Sequence, residues 1–417
     1  MALIKEIKAR EILDSRGNPT IEVECVTDDG VFIDSVPAGA SKGEREAIEL
    51  RDGGTRFGGK GVLKAVDIVN KVIEPKLVGL DPENQEQIDK LMIDLDGTSN
   101  KSKLGANSIL GVSMAVCRAG AKSKNLELYE YISLLSLGRY KRKYKIPKCC
   151  FNVINGGKHA GNNLSFQEFM IVPGGESFKE ELRMASEIYY SLKVRLKTNY
   201  SASAINVGDE GGFAPPIDVP EVALGNIIGA IEDAGFEEKI NIVLDVAASS
   251  FFKDEYYSLS TGAYNKDEFI DYYSDLISSY PIIGIEDPLE ENDWKGFGEL
   301  TKKMGKDIMI IGDDLLVSNV EYIKKAKEKN SCNAVLLKLN QVGTVTELIA
   351  SANLAKEYGW KTVVSHRSGE TTDDFISDLA VGINADHMKS GAPARGERIC
   401  KYNRLLKIEE MIKYIIN

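Results

Sequence analysis

Residues 332–340 read CNAVLLKLN, a short apolar run that ends in a lysine between two leucines. A run of this kind, bounded by polar residues, is typical of a buried strand. Lysine is almost never fully buried unless it is paired. Lys338 is therefore either a charge at the end of a strand or an amine with a functional role in a nearby site.

Four similar runs lie around this one, namely INIVLD (240–245), PIIGIED (281–287), DIMIIGDD (307–314) and KTVVSHRS (361–368). The segments between them are helical in character, and strands that alternate with helices predict β/α units and a parallel sheet. We therefore expect a (β/α)8-type barrel, with a doubly wound open sheet as the alternative. Barrel enzymes carry their chemistry at the C-terminal ends of the strands, so we expect the functional residues at these ends.

The first part of the chain has a different pattern. Residues 4–35 predict strands, with a hairpin turn at DDG (28–30), and the pattern becomes helical from about residue 60. The basic stretch GRYKRKYK (138–145) interrupts the apolar periodicity. We place the domain boundary there, which gives a smaller α+β domain over 1–137 and a barrel over 138–417.

The composition excludes several classes of function. A formal net charge of −11 argues against a nucleic-acid or anionic-membrane partner, since both need a basic surface. The six cysteines form no C-x-x-C pair, which argues against a disulfide framework and against zinc. No stretch approaches the ~18 apolar residues of a membrane span, and the charged N-terminus does not read as a signal peptide. We expect a soluble, cytoplasmic protein.

Three successive apolar runs end in carboxylates, at Asp245, at Glu286 and Asp287, and at Asp313 and Asp314. At a common rim these groups would repel one another unless a cation lay between them. A ligand set of oxygens without histidine or cysteine favours Mg²⁺. Any one acidic end alone is better explained by capping of the following helix, but three in succession favour a metal site.

The later run ends are basic, at Lys338, at His366, Arg367 and Ser368, and at Lys389. Arginine and serine together suit a phosphate group. Burial among leucines, with other cations nearby, predicts a lowered pKa for Lys338, and a base that works near neutral pH needs such a pKa. Beside Mg²⁺, the reaction that fits such a base is removal of a proton alpha to a carboxylate.

Two glycine-rich segments precede the regular units. Residues 151–173 contain His159 and Glu168, and residues 206–216 contain Asp209 and Glu210. Glycines that let the backbone pass close to a ligand are common at functional sites. Ordinary turns have the same composition, so each segment alone leaves both interpretations open.

These residues lie within stretches in which the sequence resembles the enolase family over essentially the full length of the chain. The matching stretches include DSRGNPTIEVE (14–24), VPAGASKGEREAIELRD (36–52), LDGTSNKSKLGANSILGVSMA (95–115), NGGKHAGNNLSFQEFMIVP (155–173), NVGDEGGFAP (206–215), IEDPLEENDW (285–294), LLKLNQVGT (336–344), VVSHRSGET (363–371) and KSGAPARGER (389–398).

The resemblance implies an α+β N-terminal domain and a barrel with an irregular ββαα start, in which the opening strand pair is antiparallel. It implies a Mg²⁺-dependent lyase, a phosphopyruvate hydratase of glycolysis and gluconeogenesis. The reaction would be the reversible dehydration of 2-phospho-D-glycerate to phosphoenolpyruvate and water. It also implies a homo-oligomer, either a dimer or an octamer.

The resemblance assigns roles residue by residue. It implies that Asp245, Glu286 and Asp313 bind a first Mg²⁺, and that Ser41 binds a second, substrate-dependent Mg²⁺. Lys338 would remove the C2 proton.

Glu210, assisted by Glu168 and with His159 close by, would protonate the departing 3-hydroxyl. Substrate contacts would come from the metal ligands Glu286 and Asp313 and from the residues His159, Glu168, His366, Arg367, Ser368 and Lys389.

Two other functions remain as alternatives. A related enzyme that dehydrates or racemises sugar acids should lack the SHRS phosphate contacts (365–368) and Ser41, and this chain has both. A binding protein with a silent site is free to lose Lys338 or Glu210, and both are present. Ala38 and Lys42 depart from the family's usual residues in the loop around Ser41.

Overall fold

The computed structural model describes residues 2–39, 43, 45–139 and 143–416, without the side chains of residues 414–416. Ser41 and Lys42 lie outside the described residues, and so do residues 140–142 of the expected boundary stretch. Their predicted roles therefore stay predictions.

An antiparallel sheet opens the chain, with the strands β1 (Ile4–Leu13), β2 (Pro19–Thr27) and β3 (Gly30–Ser35) in that order. Thr27 lies opposite Gly30, which confirms the predicted hairpin turn at DDG. Helical segments follow: α1 (Leu63–Ile68), a π-helical turn (Val69–Ile73), α2 (Glu74–Leu77), α3 (Gln85–Asp96), α4 (Ala106–Ser123) and α5 (Leu128–Leu137). Helix α4 is buried along most of its length and packs on β2 and β3.

Eight strands of the described chain close into a barrel. In order around the barrel they are β4 (Lys148–Asn155), β5 (Glu168–Pro173), β6 (Ile240–Asp245), β10 (Ile282–Glu286), β11 (Met309–Gly312), β12 (Ala334–Leu337), β13 (Lys361–Ser365) and β14 (His387–Lys389). Strand β5 is antiparallel to both of its neighbours, and the other pairs are parallel. The predicted barrel is confirmed, and the open-sheet alternative is wrong.

The remaining elements surround the barrel. The helices are α6 (Phe178–Asn199), α7 (Pro220–Asp233), α8 (Lys266–Ser279), α9 (Trp294–Met304), α10 (Val320–Lys329), α11 (Leu339–Val342), α12 (Val345–Glu357), α13 (Phe375–Gly382) and α14 (Gly396–Ile416). A small sheet of β7 (Phe252–Lys253), β8 (Tyr256–Leu259) and β9 (Gly262–Tyr264) follows β6. Among the residues described, no helix has the length and apolar character needed to cross a bilayer.

The alternation of side chains along β12 explains the position of Lys338. Ala334 and Leu336 belong to the small apolar cluster formed by residues from several barrel strands, whereas Val335 and Leu337 belong to the larger cluster shared with the helices. Successive strand residues point to opposite faces. Lys338, which is two residues after Leu336, therefore continues the inward-facing series at the mouth of the barrel.

The N-terminal part of the chain packs against this mouth through ion pairs and hydrogen bonds. Lys101 Nζ lies 2.8 Å from a carboxylate oxygen of Glu347 on α12. Arg118 on α4 lies 3.1 Å from Asp373, just before α13. The N-terminal domain therefore supports the segments that follow β12 and β13.

Candidate active site

The C-terminal ends of the barrel strands bring most of the predicted residues into one pocket. Asp245 ends β6, Lys389 ends β14, and Lys338 follows β12. The pocket is lined by Gly39, His159, Gln167, Glu168, Glu210, Asp245, Ala247, Asp287, Asp313, Asp314, Lys338, Ser365, His366, Arg367, Ser368 and Lys389. Glu286 lies beside this pocket, where it contacts Lys389.

Lys338 forms an ion pair with Oδ2 of Asp313, and its side chain is only 12% exposed. The other oxygen of Asp313 accepts a hydrogen bond of 2.8 Å from the side-chain amide of Gln341. The Gln341 amide also donates to Glu46 at 3.2 Å, and its oxygen accepts a bond of 2.5 Å from the Ser318 hydroxyl. The position of Asp313 next to Lys338 is therefore fixed from two sides.

The expected lowering of the Lys338 pKa is wrong for this arrangement. Burial does act to lower the pKa of Lys338, but the Asp313 carboxylate reverses this effect, so the pKa is raised. The pKa of Asp313 is lowered, because Lys338 and Arg367 outweigh the opposing effect of burial. Sequence could not predict this direction, since it depends on how close the fold brings the Asp313 carboxylate to the amine.

Lys389 lies among three buried carboxylates. Its Nζ is 3.3 Å from Glu168, 3.4 Å from Asp245 and 2.7 Å from Glu286. Asp245 and Glu286 are also neighbours in register on β6 and β10. Burial, followed by the charge of Asp245, raises the pKa of Glu286 well above its ordinary value. This cluster therefore needs a positive charge, which the Lys389 ammonium group supplies here.

The three predicted metal ligands have side chains that suit a hard divalent ion. Asp245, Glu286 and Asp313 offer carboxylate oxygens from three adjacent barrel strands or their ends, and all three are buried. Mg²⁺ prefers such oxygen ligands. Asp313 also belongs to a second group of carboxylates, with Asp287 and Asp314. One oxygen of each of these three residues lies within 4.8 Å of the others.

Asp287 has a different task from Glu286, a distinction that the sequence left open. Its two oxygens accept hydrogen bonds of 2.9 Å from the backbone N–H groups of Asp313 and Asp314. Burial and the charge of Asp314 raise the pKa of Asp287 well above the ordinary value. Burial and the charge of Asp313 raise the pKa of Asp314 to about 7. Asp287 therefore braces the turn that presents Asp313.

Glu168 and Glu210 face each other across His159. The Nδ1 atom of His159 lies 3.7 Å from Oε1 of Glu168 and 3.4 Å from Oε1 of Glu210. Burial and the charge of Glu210 raise the pKa of Glu168 well above its ordinary value. Burial would also raise the pKa of Glu210, but the nearby His159 and His366, together with the charge of the Arg398 guanidinium, hold that pKa well below the ordinary value. Glu168 therefore holds the proton of this pair.

Two side-chain nitrogen atoms lie near the second oxygen of Glu210. Oε2 accepts a hydrogen bond of 3.0 Å from the Asn152 side-chain amide and lies 3.4 Å from Nε2 of His366. Burial lowers the pKa of His366 to about 3, and the nearby Arg398 guanidinium acts in the same direction. His366 is therefore neutral at pH 7, and burial also lowers the pKa of His159.

Arg367 is held by a residue from the N-terminal part of the chain. Its guanidinium lies 3.2 Å from Glu46 and donates a bond of 3.0 Å to the side chain of Asn340. Ser368 is buried beside it, and its carbonyl accepts a hydrogen bond of 2.7 Å from Arg398. A planar guanidinium with an adjacent hydroxyl is a suitable partner for a phosphate.

Sequence reasoning missed several residues of this network, among them Glu46, Asn152, Gln341 and Arg398. Gln341 could have been predicted as a neighbour of the site, because it lies three residues after Lys338 in the segment that follows the same strand. Arg398 lies in the quoted stretch 389–398, but nothing in that stretch indicates a side chain that reaches back to another loop. Glu46 and Asn152 come from distant parts of the chain and become neighbours of the site only through the fold.

Comparison with known proteins bears on the whole chain. Residues 143–415 match the family model "Enolase, C-terminal TIM barrel domain", and residues 4–132 match "Enolase, N-terminal domain". The enolase of Eimeria tenella is 50% identical, with 99% of this chain and 97% of the relative covered. Enolase B of Dictyostelium discoideum is 52% identical, with coverage of 98% and 95%. The enolase of Methanocaldococcus jannaschii is 51% identical, again with coverage of 98% and 95%. With both domain models matched and half of its residues identical to these relatives, this chain belongs to the enolase family.

Proposed function

We propose that this chain is a Mg²⁺-dependent lyase that converts 2-phospho-D-glycerate into phosphoenolpyruvate and water, reversibly, in glycolysis and gluconeogenesis. The observation that carries the proposal is one pocket that combines an inward-facing lysine, a carboxylic acid pair and an arginine–serine pair. These groups match the three requirements of the reaction: a base for C2, an acid for the 3-hydroxyl and a partner for the phosphate.

Asp245, Glu286 and Asp313 are the residues that would hold the first Mg²⁺. When bound, the ion stabilises the negative charge that develops on the substrate carboxylate. Lys389 is the residue that would contact this carboxylate, and its present ion pairs with Glu168, Asp245 and Glu286 keep its ammonium group at that end of the pocket. The proposed second Mg²⁺ involves Ser41.

Lys338 is the proposed base at C2. In the present arrangement its ammonium group is paired with Asp313, so it must lose its proton before it can accept the one from the substrate. The same pairing aims Nζ into the pocket, and Gln341 fixes Asp313. We therefore interpret Asp313 as both a metal ligand and the group that orients the base.

Glu210 is the proposed acid for the 3-hydroxyl, with Glu168 as its proton donor. The raised pKa of Glu168 and the lowered pKa of Glu210 put the shared proton on Glu168 at the start. His159, which lies between their Oε1 atoms, would keep these oxygens oriented towards the substrate. Loss of the hydroxyl as water then requires the proton to pass from this pair to the leaving oxygen.

Arg367 and Ser368 are the proposed phosphate partners, with His366 beside them. The Arg367 guanidinium is already oriented by Glu46 and Asn340, which reduces the entropy that binding must remove. We further propose a cytoplasmic homo-oligomer, a dimer or an octamer, with domains of 1–137 and 138–417.

The test is an absorbance assay for the double bond of phosphoenolpyruvate, with 2-phosphoglycerate and Mg²⁺ as reactants. We expect turnover by the wild type, its loss on addition of EDTA, and a decrease of orders of magnitude for Lys338→Ala. Lys361→Ala is the matched control, because Lys361 begins the adjacent strand at the other end of the barrel and is exposed. A folded wild-type protein that binds Mg²⁺ without forming product would refute the proposal and favour the sugar-acid or silent-site alternatives.

A further inference from the structure

Arg398 is a buried cation in an unusual environment. Its exposed fraction is 0%, and its guanidinium donates to three backbone carbonyls, those of Arg367 at 2.6 Å, Ser368 at 2.7 Å and Asp209 at 2.9 Å. These carbonyls belong to two different segments, one after β13 and one that carries the proposed acid Glu210. Arg398 therefore joins the phosphate end of the site to its acid end.

A fourth contact of Arg398 reaches His366. The Nη1 atom lies 2.6 Å from Nδ1 of the imidazole. A guanidinium has donors and no acceptor, so Nδ1 must be the acceptor in this pair. The single proton of the neutral imidazole is then on Nε2, and this nitrogen faces Oε2 of Glu210 at 3.4 Å.

We propose that Arg398 is a positioning residue that fixes the tautomer of His366 and thereby selects which oxygen of Glu210 carries the catalytic proton. Oε2 faces two donors, the Asn152 amide at 3.0 Å and the Nε2–H group of His366. Oε1 lies 3.4 Å from Nδ1 of His159, and the same nitrogen lies 3.7 Å from Oε1 of Glu168. Oε1 is therefore the oxygen that exchanges a proton with Glu168 and delivers it to the substrate. This assignment rests on the proposed role of Glu210 as the acid.

The surroundings of His366 oppose the other tautomer. A proton on Nδ1 would point at the Arg398 guanidinium, and Nε2 would then present a lone pair to the Glu210 carboxylate. The Glu210 carboxylate favours a second proton on the ring, but burial and the charges of Arg398 and Lys389 outweigh this effect. Gly391 provides the space for this arrangement, since a Cβ atom there would lie 2.9 Å from Cδ of Arg398.

The direct test is nitrogen NMR of the protein labelled with ¹⁵N-histidine. The chain has only three histidines, so the spectrum is simple, and the His366→Gln variant identifies the signals of His366. We expect wild-type His366 to show an unprotonated Nδ1 and a protonated Nε2 at pH 7, without a second proton at lower pH while the fold persists. A proton on Nδ1 would overturn the proposal, and this measurement requires no enzymatic activity.

Variants of Arg398 test the consequence. In Arg398→Met we expect a mixture of His366 tautomers and a kcat decreased by about 10- to 100-fold, with KM changed by less than about threefold. Arg398→Lys should recover part of both properties. Arg404→Met removes a guanidinium from the same helix, where it pairs with Asp378, and should change neither the His366 signals nor kcat.

The outcomes separate the two proposals. An unchanged tautomer and an unchanged kcat in Arg398→Met would overturn the role of Arg398. An inactive wild type with the expected tautomer would instead refute the proposed function. Should Arg398→Met fail to fold, the wild-type spectrum and Arg398→Lys still decide the question.

Discussion

Gln341 offers a sharp test of how the site is held together, because it is buried and its side chain makes three hydrogen bonds to polar groups. Its amide nitrogen donates to Asp313 at 2.8 Å and to Glu46 at 3.2 Å, and its oxygen accepts from Ser318 at 2.5 Å. Gln341→Met keeps the approximate volume and removes every one of these bonds. The perturbation is therefore electrostatic rather than steric.

The magnitude follows from the lost bonds. A hydrogen bond to a charged group contributes about 1.5–3 kcal/mol, and the variant loses two such bonds. The Ser318 hydroxyl keeps a partner, because it also donates to the Leu336 carbonyl at 3.2 Å. Both carboxylates keep another partner, Lys338 for Asp313 and Arg367 for Glu46. We therefore expect a decrease of about 3 kcal/mol in the free energy of unfolding, which lies toward the lower end of the sum.

The assay combines urea unfolding with steady-state kinetics. Gln85→Met is the matched control, because Gln85 is also buried, its amide also donates to a carboxylate, that of Asp89 at 3.0 Å, and neither residue lines the pocket. Both variants should lose similar stability, but only Gln341→Met should lose kcat, by about 10- to 100-fold. Full activity in Gln341→Met, or an equal loss of kcat in Gln85→Met, would refute this reasoning.

Two further predictions concern the framework. Asp96 accepts hydrogen bonds from three backbone N–H groups of residues 98–104, and these bonds lower its pKa although burial opposes this. The ionised Asp96 carboxylate therefore stabilises the folded state. Its contribution is complete above the unfolded-state pKa of about 3.9 and is lost as the pH falls through the lower folded-state pKa. Asp96→Asn should therefore have a free energy of unfolding about 2 kcal/mol lower than that of the wild type at pH 7, and this difference should decrease in acid. Urea unfolding of both proteins at several pH values from 7 to 3 measures the difference. A difference that stays constant with pH would contradict the prediction. Gly208→Ala should abolish most of the activity, since its Cβ would lie 2.4 Å from the carbonyl oxygen of His159, whereas Gly225→Ala has no atom within 4 Å and should gain up to about 1 kcal/mol. Equal activities of the two alanine variants would contradict the second prediction.

Much of the barrel could be predicted from local pattern. Each apolar run from residue 240 onward contains a barrel strand, and Lys338 follows its strand as the spacing predicts. The antiparallel direction of β5 could not be predicted from periodicity, because an apolar strand has the same pattern in either direction. That feature came only from the family resemblance.

The electrostatics of the site were less predictable. The sequence places Lys338 near other cations, but the orientation of Asp313 reverses the expected change in its pKa. Lys389 was expected to face the substrate, and it lies among Glu168, Asp245 and Glu286. Such directions depend on distances of a few ångströms between side chains that are far apart in sequence. Residue types alone do not determine them.

Exchange of the C2 hydrogen tests most directly the claim that Lys338 and Glu210 act at different steps. The measurement follows incorporation of deuterium into 2-phosphoglycerate in D₂O with Mg²⁺, for the wild type and for the variants Glu210→Gln and Lys338→Met. We predict that Glu210→Gln exchanges the C2 hydrogen but forms almost no phosphoenolpyruvate, and that Lys338→Met does neither. Retained exchange in Lys338→Met would contradict the assignment of Lys338 as the base.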